Sequence, residues 1–236
     1  MDRNGAASEA GTLYVVATPL GNLKDITFRA LEVLKNSDLI AAEDTRRTQK
    51  LLAAYDLHVP LTSYHEHNKQ TKSRFLIERL LRGEKVGLVT DGGTPGISDP
   101  GQELVRQARE SGIPIVPVPG PSAVTCALSV SGLEGGGFVF LGFLPRRKSR
   151  RRKILEETAR QGRTVVLYES PYRIKKLLLE IRELLGDINL FLTRELTKIH
   201  EELLSGTVSQ VLQSLGDKEV LGEITLILAP SEGKIP

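Results

Sequence analysis

The sequence predicts an α/β protein of two domains, each a mostly parallel sheet covered by helices. Short apolar segments typical of strands alternate with amphipathic helical segments along most of the chain. This alternation implies right-handed crossovers and parallel strand pairing. The glycine-rich segment 131–137 interrupts the pattern and is the best candidate for a linker. We therefore expect a disordered tail over 1–11 and domains over 12–134 and 135–236.

Five strands and five helices are predicted in the first domain. The helices carry apolar stripes, such as Ala30, Leu31 and Leu34 in the first of them. Asp99 and Pro100 are typical of the N-cap and first position of a helix. The predicted strands are 13–18, 39–44, 60–64, 85–91 and 113–118. The predicted helices are 26–35, one through Leu51 and Leu52, 71–82, one from Asp99 to Gly112, and 121–130.

The second domain continues the alternation of strands and helices. The segment 200–206 predicts a short antiparallel strand in addition. The other predicted strands are 138–144, 164–170, 188–193 and 223–229, and the predicted helices are 149–161, 171–185 and 207–215.

Positive charge is concentrated in the run RRKSRRRK at 146–153. The chain has a net charge of +3, and this run alone contributes seven positive charges, so the remainder is at −4. A run of this kind is often only a solvated face. Its density favours an anionic partner such as nucleic acid.

The composition places the chain among ordinary globular proteins, with 40% hydrophobic and 26% charged residues. No apolar run approaches the ~20 residues that a membrane span needs, and the first residues lack the apolar core of a signal peptide. Cys126 is the single cysteine, which excludes an intrachain disulfide and fits a reducing compartment. We expect a cytoplasmic protein that does not enter membranes.

The segment VTDGGTPGISDPG at 89–101 follows a predicted parallel strand directly. The carboxyl ends of such strands are where open α/β sheets bind ligands. Gly92, Gly93 and Gly96 permit unusual backbone angles and let a ligand approach the main chain. A tight turn needing glycine for geometry alone is the alternative. The cluster of glycines favours a ligand.

Missing motifs restrict the type of ligand. The sequence has no GxxxxGK[ST] motif, which binds nucleotide triphosphates. The loop at 18–22 has one glycine where a dinucleotide-binding fold has GxGxxG, so both ATP and NAD are disfavoured as ligands. His65, Glu66 and His67 could suggest a metal, but no third ligand is evident beside the two histidines. We expect a polar or substrate-facing loop there, and no metal.

Seven collinear segments carry a resemblance to a known family. They are ATPLGNLKDIT (17–27), AAEDTRRT (41–48), SYHEHN (63–68), VTDGGTPGISDPG (89–101), PVPGPSA (117–123), YESPYR (168–173) and RELTK (194–198). Together they resemble the ribosomal RNA small-subunit methyltransferase I family of the tetrapyrrole methylase superfamily.

The resemblance implies S-adenosylmethionine as methyl donor and the 2′-hydroxyl of a cytidine in the decoding region of 16S ribosomal RNA as acceptor. It also implies a cofactor folded into an interdomain cleft, a homodimer, and either ribosomal RNA or the assembled 30S subunit as partner. The expected cofactor-binding residues are Pro19, Leu20, Asp91, Gly92, Gly93, Thr94, Ile97, Ser122, Ala123 and Tyr168.

The chemistry of methyl transfer to a hydroxyl requires alignment and a proton acceptor. A nearby base would accelerate the reaction ~10²–10⁴-fold. The candidates, which the sequence does not rank, are Glu43, Asp44, His65, Glu169 and Glu195. Each could instead cap a helix or form an ion pair. Phosphate contacts, which fix RNA register without reading bases, are expected from Arg46, Arg47, Arg146, Arg147, Lys148, Arg150, Arg151, Arg152 and Lys153.

Two other functions stay open at this point. A small-molecule methyltransferase acting on a corrinoid precursor would share the fold and the glycine-rich loop but would have little use for the run 146–153. A non-enzymatic RNA-binding module would need that run but not the loop, and would not bind S-adenosylmethionine.

Overall fold

The computed structural model describes residues 10–133 and 137–230. The chain divides into two compact units between Ser122 and Ala123. The expected tail over 1–11 lies outside the described residues except for residues 10 and 11. The expected domain boundary at 134–135 lies outside them entirely. Within the described ranges, no helix is long and apolar enough to cross a membrane.

The first unit is a five-stranded, fully parallel sheet in the order β3-β2-β4-β1-β5. The strands are β1 Leu13–Val16, β2 Leu39–Ala42, β3 Leu61–Ser63, β4 Val86–Val89 and β5 Ile115–Val118. A 3₁₀ helix spans Leu23–Asp25, and the α-helices are α1 Phe28–Lys35, α2 Thr45–Ala54, α3 Lys69–Leu81 and α4 Gln102–Glu110.

Helices cover both faces of this sheet. All four residues of β2 and all four of β4 are buried, as expected for central strands with helices on both faces. One face packs against α3 and α4, for example through Leu76 and Leu104. The other packs against α1 and α2, for example through Leu34 and Leu52.

The start of α4 differs from the sequence prediction. The sequence predicts a cap at Asp99, but the helix begins at Gln102 and its N-cap is Gly101, which forms no side-chain cap. The Gly101 N–H donates to the Asp99 carbonyl at 2.9 Å, so a turn precedes the helix. A Cβ on Gly101 would lie 3.0 Å from the Gly96 nitrogen. The loop thus folds back on itself in place of the predicted helical turn.

The second unit contains a mixed sheet in the order β6-β7-β10-β8-β9. Among the described strands of this second sheet, only β6 and β7 pair in parallel, and the other three pairings are antiparallel. The α/β class is confirmed, but the expectation of mostly parallel pairing is wrong for this sheet. The expected strand near 200–206 is confirmed as β9. The strands are β6 Phe138–Phe143, β7 Thr164–Glu169, β8 Asn189–Arg194, β9 Glu202–Thr207 and β10 Ile224–Leu228.

Four helices belong to the second unit: α5 Ala123–Ser131, α6 Lys148–Ala159, α7 Ile174–Leu185 and α8 Val208–Leu215. The sequence pattern predicts α5 as the last helix of the first domain, whereas the structural division places it in the second unit. Its buried residues Val124 and Ala127 pack with Val166, Phe191 and Ile227 of the second sheet. This apolar contact explains why the structural division precedes α5.

A buried ion pair joins α6 to α7. The Arg151 guanidinium donates to Glu180 Oε2 through Nε at 3.1 Å and through a second nitrogen at 2.5 Å, and its side chain is 7% exposed. A third nitrogen donates to the carbonyls of Pro145 and Arg146 at 3.1 and 3.0 Å. Arg151 therefore fixes both the helix pair and the chain that leads into α6.

We expect Arg151→Ala to lower the free energy of unfolding by about 3–5 kcal/mol, because it leaves the Glu180 carboxylate buried without its cation. The matched control is Arg152→Ala, whose side chain is 30% exposed and pairs with the exposed Glu183. That variant should lose less than about 1 kcal/mol. Urea unfolding measures both, and equal losses would contradict the structural role of Arg151.

Candidate functional site

The loops that follow β1 and β4 are joined at the carboxyl edge of the first sheet. Thr18 and Gly93 exchange two backbone hydrogen bonds of 2.9 Å each, forming an isolated antiparallel bridge. The Thr18 hydroxyl also donates to the Thr90 carbonyl at 3.0 Å, and both threonines are buried. Both loops are therefore held in place before any ligand binds.

The loop after β5 joins the same edge. The Thr94 hydroxyl donates to the Pro121 carbonyl at 3.2 Å. Because β4, β1 and β5 are neighbours in the sheet, their three loops lie side by side. This is the edge at which parallel sheets bind ligands.

Gly92 and Gly93 permit the close approach of these loops. A Cβ on Gly92 would lie 3.2 Å from the Pro19 carbonyl oxygen. Gly93 has φ +90, which L side chains rarely adopt, and a Cβ there would lie 3.3 Å from the Leu20 side chain. The N–H and C=O of Gly93 are both bonded to Thr18, so this glycine joins the two loops.

Most of the expected cofactor-binding residues lie together at this edge. Ala123, which directly follows Ser122 and begins α5, and Tyr168, which lies in β7, belong to the second unit. The residues brought together are Pro19, Leu20, Asp91, Gly92, Gly93, Thr94, Ile97 and Ser122.

A pair of carboxyl groups, Glu43 after β2 and Asp91 after β4, lies beside these loops. Glu43 Oε2 accepts from the Thr90 hydroxyl at 2.5 Å and from the Asp91 N–H at 3.4 Å. Asp91 accepts from the Asp44 N–H at 3.0 Å and pairs with Arg47 at 3.4 Å. Thr90 is absent from the residues predicted for the site, although its position just before the glycines could have indicated it.

The pKa values of Asp91 and of Asp44, which donates its N–H to Asp91, are shifted in opposite directions. Burial, followed by the neighbouring Glu43 charge, raises the pKa of Asp91 above its usual value. Hydrogen bonds from the Arg46 side chain and backbone lower the pKa of Asp44 to about 2. The Asp44 carboxylate caps α2 and pairs with Arg46 at 2.8 Å, in agreement with the ion-pair alternative. A carboxylate held in this way is a weak base.

His65 lies next along the same edge, just beyond β3. Its backbone N–H donates to Asn68 Oδ1 at 2.9 Å, and its Nε2 lies 3.2 Å from the amide nitrogen of Asn68. Its Nδ1 is buried without a hydrogen-bond partner among the described residues. The ring packs edge to face with His67, with centroids 6.0 Å apart. In the part of the chain that the structure describes, no three His, Cys, Asp or Glu side chains cluster as metal ligands.

Glu169 and Glu195 belong to the second unit, and both are engaged in local contacts. The Glu169 side chain is completely buried, accepts from the Ser170 N–H at 2.7 Å and pairs with Arg173 at 3.2 Å. Burial raises the pKa of Glu169. These contacts agree with the ion-pair alternative for Glu169.

Glu195 stabilises its own turn. It has φ +53, and its Oε1 accepts from Lys198 at 2.8 Å and from the Glu223 N–H at 2.9 Å. Burial is the largest single influence and opposes ionisation, but the hydrogen bonds from Lys198 and the Glu223 backbone and the charges of Lys198 and Arg194 together outweigh it and lower the pKa of Glu195. These contacts indicate a structural role.

The structure divides the basic run into three groups. Arg146, Arg147 and Arg150 are exposed. Lys148, Arg152 and Lys153 pair with acidic residues of α6 or α7 at 3.9, 2.7 and 3.7 Å. Arg151 is buried and paired with Glu180, so the expectation that it contacts RNA is wrong. The sequence does not indicate that Arg151 is buried, because the cations on either side of it obscure the apolar periodicity of α6.

Comparisons with known proteins identify the family. Residues 12–212 match the family described as Tetrapyrrole (Corrin/Porphyrin) Methylases. A protein of Halalkalibacterium halodurans named Ribosomal RNA small subunit methyltransferase I is 48% identical over 96% of this chain and 78% of its own. The protein of that name from Thermotoga maritima is 46% identical over 94% of this chain and 100% of its own. This chain belongs to the ribosomal RNA small subunit methyltransferase I family. The resemblance carried by the seven segments is confirmed.

Solved structures of tetrapyrrole methylases share the fold. Uroporphyrin-III-C-methyltransferase from Thermus thermophilus has a TM-score of 0.64 at 23% identity, covering 94% of this chain and 95% of that one. Cobalt precorrin-4 methyltransferase has a TM-score of 0.70 at 18% identity, covering 92% and 94%. At these identities the likeness concerns the fold alone.

We expect Gly93→Ala to lower the free energy of unfolding by about 1–3 kcal/mol. Alanine must adopt the positive φ, and its Cβ would lie 3.3 Å from the Leu20 side chain. The control Gly112→Ala has φ +68 at the end of α4, where an added Cβ would meet no atom within 4 Å. It should cost about 1–2 kcal/mol from backbone strain alone. Thermal or urea unfolding compares the two. A smaller loss for Gly93→Ala than for Gly112→Ala would contradict the tight contact with Leu20.

Proposed function

We propose that this protein transfers a methyl group from S-adenosylmethionine to the 2′-hydroxyl of a cytidine in the decoding region of 16S ribosomal RNA. The observation that carries this proposal is identity of 44–48%, over nearly the whole chain, to proteins named Ribosomal RNA small subunit methyltransferase I. By analogy within the family, we propose a cytoplasmic homodimer that acts on the RNA or on the assembled 30S subunit.

The loops after β1, β4 and β5 are the proposed cofactor site. Their backbone groups, the Thr94 hydroxyl and the half-exposed Ile97 side chain combine polar and apolar surface, which suits a cofactor with a sulfonium, a nucleoside and an amino acid. When bound, the cofactor supplies a methyl group that is already activated. The protein must then orient the acceptor and exclude water. Ala123 and Tyr168 remain part of this proposal.

Glu43 is the favoured proton acceptor among the five candidates. Asp44 is held by Arg46, Glu169 is enclosed, and Glu195 is bound within its turn. Both hydrogen bonds that Glu43 accepts go to Oε2, so its Oε1 has no partner among the described residues. That oxygen can take the proton of the ribose hydroxyl as the methyl carbon is attacked. His65, one strand further along, is the second choice.

RNA affinity is assigned to the exposed cations. Arg146, Arg147 and Arg150 in the second unit, with Lys148 beside them and Arg46 and Arg47 in the first, would contact phosphates and fix the register of the RNA. A corrinoid methyltransferase would have little use for this charge. The identity to the two tetrapyrrole enzymes is only 18–23%, so the small-molecule alternative has less support.

Mass mapping of small-subunit ribosomal RNA from cells that lack the protein tests the proposal. One ribose methyl group on a cytidine of the decoding region should disappear, because no other enzyme is expected to supply it. Returning the gene should restore the modification, and the purified protein with S-adenosylmethionine should add it in vitro. An unchanged set of methyl groups would contradict the proposed function.

We expect Glu43→Gln to slow methyl transfer by ~10²–10⁴-fold, because the amide cannot accept the hydroxyl proton. Single-turnover assays with saturating cofactor measure the step directly. Asp44→Asn is the control, and its rate should change much less, since this carboxylate is held by Arg46. Calorimetry should show S-adenosylmethionine affinity unaltered in Glu43→Gln. Equal rates for that variant and the parent would exclude Glu43 as the base.

A further inference from the structure

The second unit contains a cavity at the carboxyl ends of its two parallel strands. Its volume is about 640 Å³, and it lies where β6 ends at Phe143 and β7 ends at Glu169. A second cavity of about 370 Å³ shares Arg146 and Arg173 with it. The lining residues of the larger cavity are Phe143, Leu144, Pro145, Arg146, Ser170, Tyr172 and Arg173.

Two aromatic rings are exposed in the larger cavity. Tyr172 is 79% exposed and Phe143 is 58% exposed, although such side chains are usually much more buried. Phe143 is supported from behind by Tyr168, with ring centroids 5.6 Å apart, and Tyr168 packs in turn on Phe140 at 5.0 Å. Phe143 therefore offers a supported surface for a flat ligand, and the exposed Tyr172 ring lines the same cavity.

Positive charge surrounds these rings and is held in place. Arg173 pairs with the buried Glu169 at 3.2 Å and donates to the Leu144 carbonyl at 3.1 Å. Arg151 donates to the carbonyls of Pro145 and Arg146, which fixes the chain that carries the Arg146 side chain. Lys148 and Lys176 line the adjoining cavity, together with the Glu169 carboxylate whose charge Arg173 balances.

The start of α6 adds to the positive potential. The helix has no acidic residue in its first turn, where Lys148 and Arg150 follow the N-cap Arg147. Cations near a helix N-terminus oppose the helix dipole and destabilise the helix. An anion bound in front of this turn would relieve that repulsion. The charge and the exposed rings together fit a ligand that is flat and anionic.

We propose that this cavity is a nucleotide subsite for single-stranded RNA, in which an unpaired base stacks on Tyr172 and Phe143 and a neighbouring phosphate pairs with Arg146. The adjoining cavity, with Lys148 and Lys176, would take the next phosphate. Aromatic stacking beside a cationic groove is how proteins hold single strands without reading their sequence. The inference rests on the proposed function and assigns Phe143 and Tyr172 to RNA binding.

Fluorescence anisotropy with a labelled single-stranded oligoribonucleotide of about 12 nucleotides tests the subsite. Tyr172→Ala should weaken binding roughly 5- to 100-fold, because stacking on the ring is lost. Tyr172→Phe keeps the ring and should restore the affinity. Phe28→Ala, which removes a ring that is 94% exposed on the first unit, is the matched control and should bind as the parent does.

The dependence on salt separates stacking from charge. Arg146→Gln should reduce the slope of log affinity against log salt by ~0.7, and Tyr172→Ala should leave the slope unchanged. Calorimetry should show the same S-adenosylmethionine affinity in every variant. A loss of cofactor affinity in Tyr172→Ala would show that the cavity belongs to the cofactor and would overturn the inference.

Two further outcomes would also overturn it: RNA affinity that survives Tyr172→Ala, or a parent protein that does not bind the oligoribonucleotide. Failure of the proposed function shows elsewhere, as an unchanged methylation map of the ribosomal RNA. The subsite and the reaction are therefore judged by different measurements.

Discussion

The bridge between Thr18 and Gly93 is the contact on which the candidate cofactor site depends. Parallel strands deliver their loops to the same edge of a sheet, but nothing in the sheet itself fixes how those loops lie. Two backbone hydrogen bonds and the Thr18 hydroxyl join the loop after β1 to the loop after β4. Glycine is favoured here because the bridge has a positive φ and a Cβ would lie only 3.3 Å from the Leu20 side chain. The Glu43 carboxylate is positioned from the same loop, because it accepts from the Thr90 hydroxyl and the Asp91 N–H.

The basic run of the second unit is held in position by the buried ion pair between Arg151 and Glu180. Arg151 lies within a run of cations but points into the protein, where Glu180 and two carbonyl groups hold it. By fixing the chain before α6, it determines where Arg146 is presented to solvent. The run thus has one structural member, and its exposed members are the ones available to a phosphate backbone.

Much of this architecture could be predicted from the sequence, because the apolar periodicity that defines strands and helices is local. The loop 89–101 could be placed at the end of a strand for the same reason. The antiparallel pairing of β10 was not predictable, since it depends on how this strand inserts between β7 and β8. The burial of Arg151 depends on Glu180, which lies on another helix. The hydrogen bonds of Gly93 depend on Thr18, far away in the chain. These features arise from tertiary contacts that a single sequence does not display.

Amide hydrogen exchange, resolved to single residues in the ligand-free protein, tests most directly whether the site is preformed. The bridge predicts that the Thr18 and Gly93 amide protons exchange much more slowly than those of an unstructured peptide, because each is hydrogen bonded within the edge of the sheet. Rapid exchange at both residues without ligand would show that the two loops are not joined, and it would contradict a cofactor site that is preformed by the bridge.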